Sequence, residues 1–357
     1  MLPALISRDV SHSEEFQPGD VVDGRYRIIR KLADGGMGTV LLAEHMLIKR
    51  RVAIKFLHAE LATDRGMVHR FLNEASAAGT LGHPNIVEST DMGFTRDQIP
   101  YIVFEYLEGC LLSEEIRRLG RLAVRRTLLI ARQIASALEA AHEAKIAHLD
   151  LKSDNVFLTS RGDAPDHAKL LDFGISRFMA VEADYECTQP GVVMGTPEFM
   201  APEQVLSPDF ADCRSDIYAL GVVIYEMLAG HCPFVSDDPR VVLQQIIHDK
   251  PAPLHRPVPV ALERLLFDGL LVKSRKLRLQ SMGEVLTLLD TLITSSRNVP
   301  QALASFPDGG TPIDARMSTA SSGPGASAIA AVSWYDDEAP PLAPPPWEVE
   351  IWPEGRA

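Results

Sequence analysis

Basic residues are in short supply. The chain has 35 Lys and Arg against 48 Asp and Glu, a formal charge of -13. A summed field of that sign repels polyanions, so general affinity for nucleic acid or an anionic membrane is not expected. Cysteine is scarce too: Cys110, Cys187, Cys213 and Cys232 are scattered, with neither metal-ligand spacing nor the density of a disulfide scaffold. A reducing cytoplasm is the expected compartment. Long apolar runs are missing. Residues 217–229 come nearest, but Glu226 interrupts them and they are too short to cross a bilayer, which makes them a buried core helix. The first residues, Met1 to Asp9, have neither a basic leader nor an apolar stretch of signal-peptide length. A soluble protein with no transmembrane segment is expected.

What is present is a chain of 357 residues, 46% of them apolar, enough for one large core or two smaller ones. Its densest chemistry lies in residues 148–174, which read His148-Leu149-Asp150-Leu151-Lys152-Ser153-Asp154-Asn155 and, further on, Leu171-Asp172-Phe173-Gly174. Asp150, Asn155 and Asp172 are what a phosphoryl-transfer site requires if the fold gathers them around magnesium: a carboxylate to accept a hydroxyl proton, and an amide and a carboxylate to hold the metal. Taken singly, such residues are more often turn formers, so the pieces around them decide.

Upstream, apolar residues from Tyr26 lead through Leu32-Ala33-Asp34-Gly35-Gly36-Met37-Gly38-Thr39-Val40, a strand, a glycine turn and a second strand. Glycines at such a tip let backbone N–H groups approach phosphate oxygens, although a plain tight hairpin has the same composition. Val52-Ala53-Ile54-Lys55 is a strand ending in a cation. Met67, Val68, Phe71, Leu72 and Ala75 recur at helical spacing and carry Glu74 beside their buried stripe. Residues 101–107 form a buried strand running into Gly109, and residues 124–145 a long core helix with Leu128, Ala131, Ile134, Ala135, Leu138 and Ala141 on one face. Downstream stand Gly195-Thr196-Pro197-Glu198-Phe199-Met200-Ala201-Pro202-Glu203 and Arg214-Ser215-Asp216-Ile217, where Ser215 or Asp216 is expected to cap a helix.

Order and spacing of these pieces closely resemble protein kinases, and most of all the bacterial Hanks-type serine/threonine kinases. The resemblance covers about residues 26–293. It implies an α+β, two-lobed fold: a small β-rich lobe with one key helix over about residues 26–105, and a larger helical lobe over about 106–293. It also implies a serine/threonine kinase using ATP and Mg2+, with Mn2+ as an alternative ion, and protein substrates. Asp150, Lys152, Lys55 and Glu74 take the catalytic positions, with Glu74 as the partner of Lys55. Leu32, Ala33, Gly35, Gly36, Met37, Gly38, Val40, Ala53, Lys55 and the backbone of Glu105 and Leu107 take the nucleotide positions, with Phe104 setting the depth of the pocket. Asn155 and Asp172 are the metal ligands, Thr196 ties Asp150 and Lys152 to the substrate loop, Asp216 braces the catalytic-loop backbone, and Glu203 pairs with Arg278.

Two departures stand out. Ala33 replaces the first glycine, which is tolerated if its φ is negative and costs about 1 kcal/mol if positive. Leu149 replaces the usual arginine, so the clamp on a phosphorylated activation-loop residue has no donor, and Thr188 is not expected to be the main switch. The alternatives are a pseudokinase or nucleotide-binding scaffold, and a small-molecule kinase; intact Lys55, Glu74, Asp150, Asn155 and Asp172 oppose the first, and the peptide platform at 195–203 opposes the second. Residues 1–25 read as a loose leader. From 294 to 357 the chain turns to Ala, Pro, Ser and Gly with acidic residues, a composition that cannot offset its conformational entropy. Trp334, Tyr335, Trp347 and Trp352 in that tail are either incidental or part of a docking segment that folds onto the kinase domain itself or onto a protein partner. Nothing in the sequence fixes the oligomeric state.

Overall fold

The computed structural model of the chain describes residues 16–161, 164–172, 177–178 and 197–297. The small lobe is a six-stranded antiparallel sheet in the order β1-β2-β3-β4-β6-β5. Its strands are β1 (Val21–Val22), β2 (Tyr26–Asp34), β3 (Gly38–His45), β4 (Arg51–Leu57), β5 (Ser89–Phe94) and β6 (Pro100–Glu105). Alternate residues Tyr26, Ile28, Leu41, Ala43, Val52, Ile54 and Phe56 share one face and close a core with Tyr101 and Val103, as the period of two along each strand requires. The sheet starts earlier than the composition suggested. Val21 and Val22 pair with Arg27 and Tyr26, and the Phe16 ring packs 4.4 Å from Phe56.

Helix α1 (Arg65–Leu81) lies between β4 and β5. Asp64 caps it by accepting the Gly66 and Met67 N–H groups, and Gly82 ends it at φ 50, in the left-handed region that glycine enters without strain. Its Phe71 packs with Leu57, Val87, Ile102 and Phe104 in a second core on the opposite face of the sheet.

After β6 the chain forms β7 (Gly109–Leu111), α2 (Leu112–Leu119), α3 (Val124–Glu143), β8 (Ile146–Ala147), β9 (Val156–Arg161), β10 (Ala164–Leu170) and β11 (Arg177–Phe178). Strands β10, β9 and β7 make one antiparallel sheet, and β11 pairs with β8. The apolar stripe expected on the long helix is buried throughout, each large side chain contributing about 1.5–3 kcal/mol. Then follow α4 (Pro202–Leu206), α5 (Cys213–Ala229), α6 (Pro239–His248), α7 (Val260–Arg264) running into a π-helical turn, and α8 (Met282–Arg297). Helix α5 is buried on nearly every side. A side chain at Gly221 would come within 2.8 Å of Leu270 Cβ, so close packing of the π-helical turn requires glycine there. The cap of α5 is Asp212, which accepts the Arg214 N–H, and not Ser215 or Asp216. Those two already lie in the first helical turn and are buried, where their side chains serve other partners.

Candidate active site

The glycine turn joins β2 to β3. Ala33 pairs with Val40 and Asp34 with Thr39, and Gly35 N–H donates to the Gly38 carbonyl at 3.0 Å. Ala33 is ordinary strand backbone without positive φ, so its methyl adds no strain. The demanding position is Gly38, where a Cβ would lie 1.9 Å from the Phe56 carbonyl oxygen on β4. His58, at the end of β4, closes the tip through its Nε2, 2.8 Å from the Gly35 carbonyl; the motif contained no hint of it.

On β4, Lys55 is buried and its Nζ lies 2.8 Å from Asp172 Oδ1. The Glu74 side chain, expected to orient Lys55, lies outside the described residues. Ala53 and Leu107 pack with Leu171 against the cluster that includes Phe104, so the apolar residues expected around a nucleotide base do gather. Glu105 N–H is committed to the Glu88 carbonyl. Its carboxylate is engaged as well, by Lys169 at 2.5 Å and the Glu88 N–H at 2.9 Å. The segment after α1 reaches across to β10: Val87 N–H donates to Leu170 O, and Leu170 N–H to Asn85 O. The next amide, Leu171 N–H, donates to the Asn155 carbonyl at 2.8 Å, which sets Asp172 beside the Asn155 turn.

Between β8 and β9 the loop from His148 to Asn155 is held from several directions. His148 is buried and its Nε2 lies 3.0 Å from the Leu171 carbonyl. Leu149 has φ 61, a left-handed conformation uncommon for such a residue. The fully buried Asp216 carboxylate fixes it, accepting His148 N–H at 2.9 Å and Leu149 N–H at 2.7 Å. His142 Nε2 stands 2.7 Å from the same carboxylate. Asp150 is half-buried; its Oδ2 accepts from Lys152 Nζ at 3.0 Å and Asn155 Nδ2 at 3.1 Å. A second bond from Asn155 Nδ2, to the Asp150 carbonyl at 2.8 Å, fixes the amide orientation.

With its nitrogen spent on Asp150, Asn155 turns its amide oxygen elsewhere. Asp172, also left-handed at φ 47, keeps a carboxylate that is 44% exposed. One amide oxygen and one accessible carboxylate suit magnesium, which needs few protein ligands when phosphate and water complete its octahedron. Among the described residues no group of three or more His, Cys, Asp or Glu gathers as a cage for a metal.

A protein kinase domain model matches residues 26–286. The chain belongs to that family. Its relatives include the serine/threonine-protein kinase Pkn1 of Myxococcus xanthus, 40% identical over 70% of this chain and 36% of the relative. PknA of Mycobacterium tuberculosis is 38% identical over 74% of this chain and 60% of its own length. PrkC of Bacillus subtilis is 40% identical over 60% of this chain and 32% of its own. The chain therefore spans about a third to three-fifths of these relatives.

The segment expected to form the peptide platform begins, among described residues, at Pro197; Thr196, Phe173, Gly174 and Thr188 lie outside them, as does the acidic tail from 298 on. Glu203 in α4 is buried against Arg278, which donates to both carboxylate oxygens at 2.7 and 2.9 Å, while Ser215 Oγ donates to one of them at 2.8 Å. Burial pushes the Glu203 carboxyl up, but the Arg278 pair outweighs it and holds the group below the usual range. Arg278 also lies over the Tyr218 ring at 5.1 Å. Under the loop, burial pushes Glu226 up to about 7; the Asp154 charge adds to this, while a Ser153 hydrogen bond and Arg117 oppose it. No helix among the described residues is long and apolar enough to cross a membrane.

Proposed function

We propose that this chain is a protein-serine/threonine kinase that moves the γ-phosphoryl group of ATP to hydroxyls of protein substrates. The observation that carries the reading is the constellation of Asp150, Lys152 and Asn155 in hydrogen-bond contact, with the Lys55–Asp172 pair brought beside it by the Leu171–Asn155 bond.

Asp150 accepts the proton of the attacking hydroxyl. Its position, fixed by Lys152 and Asn155, is what converts a diffusional encounter into a directed one. Lys152 is long enough to remain on Asp150 while facing the transferring phosphoryl group, and Lys55 carries positive charge to the α and β phosphates. Asn155 and Asp172 would hold Mg2+, which, when bound, neutralises the charge on the phosphate oxygens. The backbone of residues 33–38 cradles the phosphates, and Ala53, Phe104 and Leu107 bound the adenine. Leu149 offers no donor to an activation-loop phosphate, so we assign the on-switch to something other than Thr188. Among the described residues Cys110, Cys213 and Cys232 are free thiols.

The test is transfer of radiolabelled phosphate from ATP and Mg2+ to a generic basic protein, with Asp150→Asn as control. Labelling of serine or threonine that Asp150→Asn abolishes supports the reading. ATP binding without any transfer would favour a nucleotide-binding scaffold instead.

A further inference from the structure

Both polar groups of the Leu149 backbone are held by side chains from distant elements. Its N–H goes to Asp216 on α5, and its carbonyl accepts from Gln204 Nε2 on α4 at 2.9 Å. The same Gln204 amide uses its oxygen to accept the Ala201 N–H at 3.0 Å. This settles which end of the amide faces which way, since the reversed rotamer would set donor against donor and acceptor against acceptor.

The Leu149 carbonyl belongs to the peptide that leads into Asp150. With φ at 61, the direction of that carbonyl sets where the Asp150 carboxylate points. Gln204 follows directly after Glu203, whose carboxylate is locked to Arg278 and Ser215. It is thus tethered to a rigid buried pair on one side and to the loop on the other.

We propose that Gln204 is a positioning residue for phosphoryl transfer: it couples the peptide platform to the catalytic loop by fixing the Leu149 peptide and, through it, Asp150. The inference rests on the reading of Asp150 as the proton acceptor. Gln204 is next to Glu203 in the chain, and no motif marks it.

The experiment uses the full chain with Gln204→Glu and Gln204→Met. Glutamate keeps the size and the acceptor for Ala201 N–H but sets an oxygen against the Leu149 carbonyl; methionine removes both bonds. In each variant kcat should fall about tenfold with the KM for ATP unchanged. Hydrogen exchange at the Leu149 and Asp150 amides should become about fivefold faster or more, as expected where a local hydrogen bond is lost. If methionine does not fold, the glutamate variant decides. A kcat near that of the parent, unchanged exchange at those two amides, or a loss confined to the KM for ATP overturns the proposal. Should the parent itself show no Asp150-dependent transfer, the functional reading falls as well; transfer that needs Asp150 but ignores Gln204 overturns this inference alone.

Discussion

Asp216 Oδ1 accepts the Leu149 N–H at 2.7 Å while Leu149 stands at φ 61. A left-handed leucine costs about 1–2 kcal/mol, and it persists only where its surroundings over-determine it. The buried carboxylate does this while also holding His148 and lying against His142. Asp216→Asn keeps one acceptor and turns an NH2 group toward a donor. It should lower stability by about 3 kcal/mol and kcat by more than about tenfold, measured by thermal unfolding and by phosphate transfer at a temperature where the variant is still folded.

Leu149 also bears on regulation. An arginine there could clamp a phosphorylated threonine through charge-assisted bonds, and leucine cannot. Thr188→Ala should therefore retain most of the transfer activity of the parent. A fall of about tenfold or more in a side-by-side assay of freshly dephosphorylated proteins would sink this expectation.

The glycines of the β2–β3 turn are not equivalent. A methyl at Gly38 meets the Phe56 carbonyl at 1.9 Å, whereas one at Gly36 meets nothing within 4 Å. Gly38→Ala should push β3 away from β4, raise the KM for ATP about tenfold and lower the melting temperature. Gly36→Ala should change stability by less than about 0.5 kcal/mol. Similar KM values in the two variants would contradict the steric argument.

Arg278 and Glu203 form a buried bidentate pair. Removing one partner strands a charge, so Arg278→Ala should cost about 3–5 kcal/mol. Arg278→Lys cannot make the two parallel bonds and should recover only part of that. The double variant Glu203→Leu with Arg278→Met should be less destabilised than Arg278→Ala, because neither charge is left behind. Chemical denaturation of the three variants checks the order.

Glu226 gives a pH signature. Its ordinary value is 4.5 and in the fold it rises to about 7. From pH 4.5 to about 7 the folded chain holds a proton that the unfolded chain has released, so this group's contribution to stability falls as pH rises. Gln in its place never ionises. Glu226→Gln should match the parent near pH 4.5 and exceed it by up to about 3 kcal/mol at pH 8, read from melting curves across that range. An equal gain at every pH would locate the effect elsewhere.

Motif order along the chain was enough for the family, the two-lobed fold, the turn-strand-helix order of the small lobe, and the Glu203–Arg278 pair. The glycine turn, the strand lysine and the buried stripe at helical period each declare themselves within a few residues, whereas the Glu203–Arg278 pair, 75 residues apart, came only with the family resemblance. The helix cap did not, because Ser215, Asp216 and Asp212 are all good capping residues and only the backbone path selects among them. Nor did the roles of Gln204, His58 and His142. Each acts on a backbone carbonyl or a carboxylate far off in sequence, 55 residues away for Gln204 and 74 for His142, and no spacing rule reaches that far. Motif and resemblance pointed to residues 148–174 as the candidate site. Packing of α4 and α5 decided how Leu149 is held, since its N–H and carbonyl are met by Asp216 and Gln204, side chains that only the tertiary fold brings to it.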